Sequence, residues 1–151
     1  MVSIQTTVDA QGLIATLDII VQGKAGIKDA LNDAGKVLIT SINKNFDAQG
    51  RPRWTPFAAS TLYKKAHRKS APTTSPKLLQ DTGLLRNSIV AKMVNDTTLE
   101  VGPSRTYGVF HQLGTRTIPA RPFNIAQEED VTRIAGIFER MMTRGKGSFA
   151  Q

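Results

Sequence analysis

Cysteine is absent from the sequence, which removes disulfides, thiolate metal sites and cysteine nucleophiles together and fits a protein built in a reducing cytoplasm. Histidine occurs only twice, as His67 and His111, and neither has the His-x-x-x-His or Glu-x-x-His neighbour of a common metal site. Gly23-Lys24-Ala25-Gly26 lacks the spacing and the trailing Lys-Ser/Thr of a phosphate loop, and there is no Gly-x-Ser-x-Gly elbow. Aromatics are scarce, with one Trp, two Tyr and six Phe, so the core must rest on Leu, Ile, Val and Ala. No apolar run approaches the ~20 residues of a membrane span. Met1 to Gln5 carry no basic stretch leading into an apolar one, so no signal peptide is expected. These absences predict a soluble chain with no catalytic residues, no metal, no cofactor and no membrane partner.

What is present fits one globular domain: 151 residues, 40% of them apolar and 21% charged. The domain is expected over residues 1–144, with 145–151 as a flexible tail. The net charge of +8 is unevenly placed. Between Lys44 and Lys92 stand ten basic residues against Asp47 and Asp81, while the rest of the chain is balanced. Such a bias marks either an electropositive face for nucleic acid or an acidic partner, or a solvated loop.

Periodicity supplies the elements. Val2, Ile4 and Val8, then Leu13, Ala15, Leu17, Ile19 and Val21, alternate around Asp9-Ala10-Gln11-Gly12, which predicts a β-hairpin. From Ile27 the step becomes three or four: Ile27, Leu31, Ala34, Leu38, Ile42 and Phe46 form one apolar helical stripe. Asp29 and Asp33 near its start and Lys44 near its end suit the helix dipole, and the hairpin is the nearest surface to cover it. Gly50, Pro52 and Pro56 then make a loop holding Trp54 and Phe57 as apolar anchors, and Ser60 or Thr61 is placed to cap a short basic helix. Residues 70–77, with Pro72 and Pro76 and little to bury, read as a mobile excursion. A second hairpin is expected from Ser88–Val94 and Thr98–Gly102 about Asn95-Asp96, then one helical turn in Tyr107–Leu113 and an extended Thr115–Phe123. A last helix is expected from near Asn124, with Ile125, Val131, Ile134, Ile137, Phe138 and Met141 on one side. The sum is an α+β fold: antiparallel β-hairpins packed against a long N-terminal helix and a C-terminal helix.

Few residues invite a chemical role. His111 sits among apolar neighbours and reads as a packed histidine bonded to backbone rather than a ligand or base. Glu128-Glu129-Asp130, at a helix start, reads as dipole compensation rather than an acidic site. Arg51, Arg53, Lys64, Lys65, Arg68 and Lys69, interleaved with Trp54, Phe57 and Tyr63, suit phosphate pairing and base stacking. A nucleic-acid-binding module is therefore one reading. The other has the aromatics anchor the loop while the cations stay solvated, and no recognised nucleic-acid motif accompanies the charge.

Four passages in order resemble a known family. They are Phe46-Asp47 with Gly50-Arg51-Pro52-Arg53-Trp54-Thr55-Pro56; Leu78-Leu79-Gln80-Asp81-Thr82-Gly83-Leu84-Leu85-Arg86-Asn87-Ser88-Ile89; Val101-Gly102 with Tyr107-Gly108-Val109-Phe110-His111-Gln112-Leu113-Gly114; and Ile118-Pro119-Ala120-Arg121-Pro122-Phe123. Together they are similar to the phage virion morphogenesis, or tail completion, proteins. The departures are Phe57 for Leu, Gly108 for Ala and Leu113 for Phe, and the N-terminal hairpin lies outside the match.

The resemblance implies a structural protein of a tailed bacteriophage or prophage acting in tail completion and head–tail joining. It implies a tail terminator forming a ring, commonly hexameric, at the neck. It would be made in the host cytoplasm and would meet the tail tube, the head connector and, non-specifically, packaged DNA. Arg121, Pro122 and Phe123, with Trp54 and Phe57, are then the candidate oligomer or partner interface. Arg121 on its Pro-stiffened arm suits a bidentate contact with a neighbour, or else an intrachain brace. Gly83, Tyr107, His111 and Gly114 are expected to be structural, Gly83 at a tight turn closely approached by backbone.

Overall fold

A computed structural model of the chain describes residues 3–8, 15–20, 26–68 and 77–146. The elements are β1 (Ser3–Val8), β2 (Ala15–Ile20), α1 (Ile27–Asp47), α2 (Ala59–Ala66), α3 (Leu84–Asn87), β3 (Ile89–Asn95), β4 (Thr98–Pro103), α4 (Gly108–Leu113) and α5 (Glu128–Lys146). The strands form one antiparallel sheet in the order β1-β2-β4-β3. The fold is α+β, with the long helices α1 and α5 as its helical layer.

All six residues of the α1 stripe, from Ile27 to Phe46, are buried. The stripe packs chiefly on β3, β4 and α5, not on the N-terminal hairpin as its proximity in sequence suggested. The sheet order gives the reason. β2 joins through β4, with Ala15 opposite Val101 and Leu17 opposite Leu99, so the first hairpin lies farther out than the strands beneath α1. Where α1 crosses the sheet it carries Gly35, and a Cβ there would sit 2.9 Å from the Leu99 side chain and 3.1 Å from Ala91. A mid-helix glycine costs about 1 kcal/mol relative to Ala, and here it permits the close crossing. Leu99, Val101, Phe123, Ile134 and Phe138 are among the residues that join the stripe in the core.

The last helix begins at Glu128, four residues later than Asn124. Its buried face is Asp130, Ile134 and Phe138 at a spacing of four, whereas Val131 is 46% exposed. The delayed start has a near cause and a distant one: the Gln127 N–H donates to Asp130 Oδ2 at 2.9 Å, the reciprocal half of a capping box, and the Ile125 carbonyl is held by Asn45 of α1. α5 includes Gly145 and Lys146, assigned to the tail by sequence, and 147–151 lie outside the described residues. The second hairpin runs Ile89–Asn95 and Thr98–Pro103, with Asn95 paired to Thr98 and its Oδ1 accepting from the Thr97 N–H at 2.9 Å. α2 starts after Ala58 with no side-chain cap, so neither Ser60 nor Thr61 caps it. The turn of the first hairpin, Gly23, and 70–76 of the expected excursion also lie outside the described residues.

Candidate functional site

Residues 121–127, between α4 and α5, adopt no helix or strand although Arg121, Phe123 and Asn124 are buried. Buried backbone N–H and C=O groups need partners, and here side chains supply them. Gln112 Oε1 accepts from the N–H groups of Phe123 and Asn124, both at 3.0 Å. Asn45 Nδ2 donates to the carbonyls of Phe123 at 2.8 Å and Ile125 at 3.2 Å. The Trp54 indole N–H donates to the Pro122 carbonyl at 2.8 Å, and Asn124 Nδ2 to Val101 O at 3.2 Å. The segment is thereby tied to α1, α4, β4 and the loop after α1 at once.

Arg121 completes the brace. Its Nε donates to Thr55 O at 2.9 Å and its guanidinium to Pro56 O at 3.3 Å, over the Phe57 ring at 5.6 Å. Phe123 is fully buried, 5.3 Å from Phe46 between ring centroids, and Trp54 meets Phe46 edge-on at 5.7 Å. Of the residues expected at a partner interface, Arg121, Phe123 and Trp54 are engaged inside the subunit, Arg121 as the intrachain brace that was its alternative reading. Pro122 is half-buried with its carbonyl engaged, and Phe57 is half-buried between Arg121 and Lys65.

The basic residues divide in the same way. Arg51 Nε donates to Asn45 Oδ1 at 2.8 Å, and its terminal nitrogens reach Glu129 at 3.0 Å, Ser41 O at 3.1 Å and Ser41 Oγ at 2.8 Å. Ser41 in turn donates to Asp130, which is 1% exposed. This group clamps α1 to the start of α5, so Asp130 does more than offset a dipole. Lys65 and Arg68 both pair with Asp81 at 2.8 Å, and their hydrogen bonds hold that carboxyl below its ordinary pKa. Arg51, Lys65 and Arg68, among the cations expected to face DNA or an acidic partner, each have a carboxylate partner within the chain. Arg53 and Lys64 are exposed, and Lys69 lies outside the described residues.

The structural candidates separate by mechanism. Gly114 has φ +75°, and a Cβ on it would lie 2.8 Å from Ala120 N and 3.0 Å from Ile118 O. Gly83 has φ +72° at the start of α3, but its nearest atom would be Asn87 Nδ2 at 3.7 Å. Its reason is backbone conformation, not the close approach expected. His111 Nδ1 is buried with no hydrogen-bond partner among the described residues, in place of the expected backbone bond. Burial, and then the Arg121 charge, hold its pKa below the ordinary 6.5. Tyr107 packs edge-on to it at 6.2 Å and is 39% exposed.

Sequence reading missed Ser41, Asn45, Gln112, Asn124 and Gln127. A signal existed for the first two, since both fall in phase with the buried stripe of α1, where a polar residue must have a partner. Outside the brace the surface turns apolar: Leu84 is 51% exposed, Phe110 53% and Leu113 55%. Among the described residues no group of three His, Cys, Asp or Glu is placed to hold a metal ion, and no helix is long and apolar enough to cross a membrane.

Fold and site together define an α+β domain whose buried polar side chains knit its own loops together. The model of the phage virion morphogenesis family matches residues 8–143, so it takes in β2 of the N-terminal hairpin, which the motifs had left outside. The chain belongs to that family, and its role is structural, in the assembly of a bacteriophage particle. No curated protein and no solved structure matches it.

Proposed function

We propose that this subunit acts in tail completion and head–tail joining, as a ring-forming tail terminator that performs no catalysis. The observation that carries the reading is the outer face of α4. Tyr107 at the N-cap of α4 and Phe110 and Leu113 within it recur every three residues and stand in solvent. Large apolar side chains grouped in the open mark a contact surface in a soluble subunit. The helix carrying them is fixed from behind: Gln112 holds the 123–124 backbone, and the Arg121 N–H donates to His111 O at 2.7 Å. A surface already ordered loses little conformational entropy on docking. The tail tube or a head connector protein at the neck is the partner offered this face, and copies of the chain, six to a ring, are its neighbours. Lys64, exposed and without an ion pair among the described residues, is the cation left for non-specific contact with packaged DNA.

Two measurements test the reading. Light scattering of the purified protein, alone and with tail tubes, should give a mass well above 16.4 kDa. A phage deprived of the gene, or carrying Phe110→Ser with Leu113→Ser, should yield separate heads and tails under the electron microscope. Complete infectious virions without the protein, or a strict monomer that never joins tail tubes, would sink it.

A further inference from the structure

Between the loop after α1 and helix α2 lies a groove of about 650 Å³, whose walls include Pro56, Phe57, Leu62 and Leu78. Arg53 and Lys77 also line it. Both cations are exposed, neither has an ion pair among the described residues, and no carboxylate lines the groove. Leu62 is 44% exposed although α2 buries none of its own residues. The groove therefore offers apolar surface flanked by uncompensated positive charge.

The same chain carries the complementary relief on α5. Glu128, Val131, Ala135 and Glu139 follow one another at steps of three and four, so they form one ridge along the helix. It is about 16 Å long from end to end. Carboxylates stand at both ends, exposed and without an ion pair among the described residues, and Val131 between them is 46% exposed. Acidic ends about an apolar middle match basic groups about an apolar groove, and such complementarity selects partner and register.

We propose that the groove receives the α5 ridge of a second copy of this chain, Glu128 and Glu139 meeting Arg53 and Lys77 while Val131 packs against Leu62. The contact joins two different patches, so it is head-to-tail and repeats from copy to copy, as a ring requires. It rests on the self-assembly reading above and names the surfaces that carry it. DNA is the less suitable occupant, because the groove is largely apolar and Arg51, Lys65 and Arg68 are already paired with carboxylates inside the chain.

Charge reversal tests the pairing. Arg53→Glu with Lys77→Glu should weaken self-association by about tenfold or more, read by sedimentation over a concentration series. Glu128→Lys with Glu139→Lys should do the same. The variant carrying all four changes should recover the association of the original protein. Leu62→Glu provides an independent variant from the groove, expected to weaken association with the thermal midpoint unchanged. An oligomer indifferent to groove reversal overturns this contact and leaves the assembly reading standing. So does a loss of association that the fourfold variant does not rescue. Groove reversal that spares the oligomer and abolishes salt-sensitive binding of a duplex DNA would assign the groove to nucleic acid instead. An original protein that is monomeric at every concentration and beside tail tubes defeats both readings.

Discussion

The junction of α1 with α5 and the outer surface around α2 and α4 draw on similar residues and use them oppositely. At the junction, Arg51, Asn45, Ser41 and Asp130 bond one another across two helices and a loop, and the aromatics Phe46, Trp54 and Phe123 are 0–4% exposed. At the outer surface, Arg53 and Lys64 have no partner among the described residues, and Tyr63 and Phe110 are 66% and 53% exposed. Arg51 and Arg53 stand two positions apart in one loop, so composition alone does not separate them. Partners do. A polar group removed from water must be paired, and one left in water is available to another molecule.

The sharpest way to break this contrast is to truncate one apolar side chain on each side of it. Phe123→Ala should cost about 3–5 kcal/mol in urea denaturation, and Leu113→Ala, half-exposed, under about 0.5 kcal/mol. Equal costs would mean that the α4 face supports the fold as strongly as the core does. Next in size are the glycines. Gly114→Ala adds a backbone clash to an unfavourable φ and should lose about 2–4 kcal/mol, while Gly83→Ala meets only the φ penalty and should lose about 1 kcal/mol. Thermal melts of the pair measure the difference.

Arg51→Met should destabilise by about 1–3 kcal/mol, because Asn45 Oδ1 and Ser41 lose a donor in a buried setting. Arg53→Met should leave stability within about 0.5 kcal/mol and, by the groove proposal, reduce association. The smallest effect concerns pH. His111 has its folded-state pKa lowered by burial and then by Arg121, so the unfolded chain binds its proton more readily. The stability this neutral histidine contributes is intact above its ordinary 6.5 and is lost as pH falls from there through the folded value. His111→Gln should flatten that slope in melts run between about pH 7 and 5.

How much of this was legible depended on whether a residue's partner was near in sequence. The α1 stripe spans Ile27 to Phe46 and is periodic, so its length and buried face were readable almost to the residue. The hairpin at Asn95-Asp96 was also local, and its turn and strand ends moved by no more than one position. The start of α5 was misplaced, because Ile125 continues an apolar pattern while its carbonyl is held by Asn45, 80 residues earlier. The same distance hid the fate of Arg121 and Trp54. Both look like anchors for another molecule until the 121–127 segment is found to lie against the 51–56 loop.

The amino-acid order by itself determined the elements, the α+β class, the basic middle third and the four motifs that place the chain in its family, since each depends on neighbours a few residues apart. Tertiary structure alone decided which cations and aromatics are spent inside the subunit and which face outward. That choice depends on burial and on hydrogen-bond partners 60 to 90 residues away, because a side chain's role depends on what removes it from water.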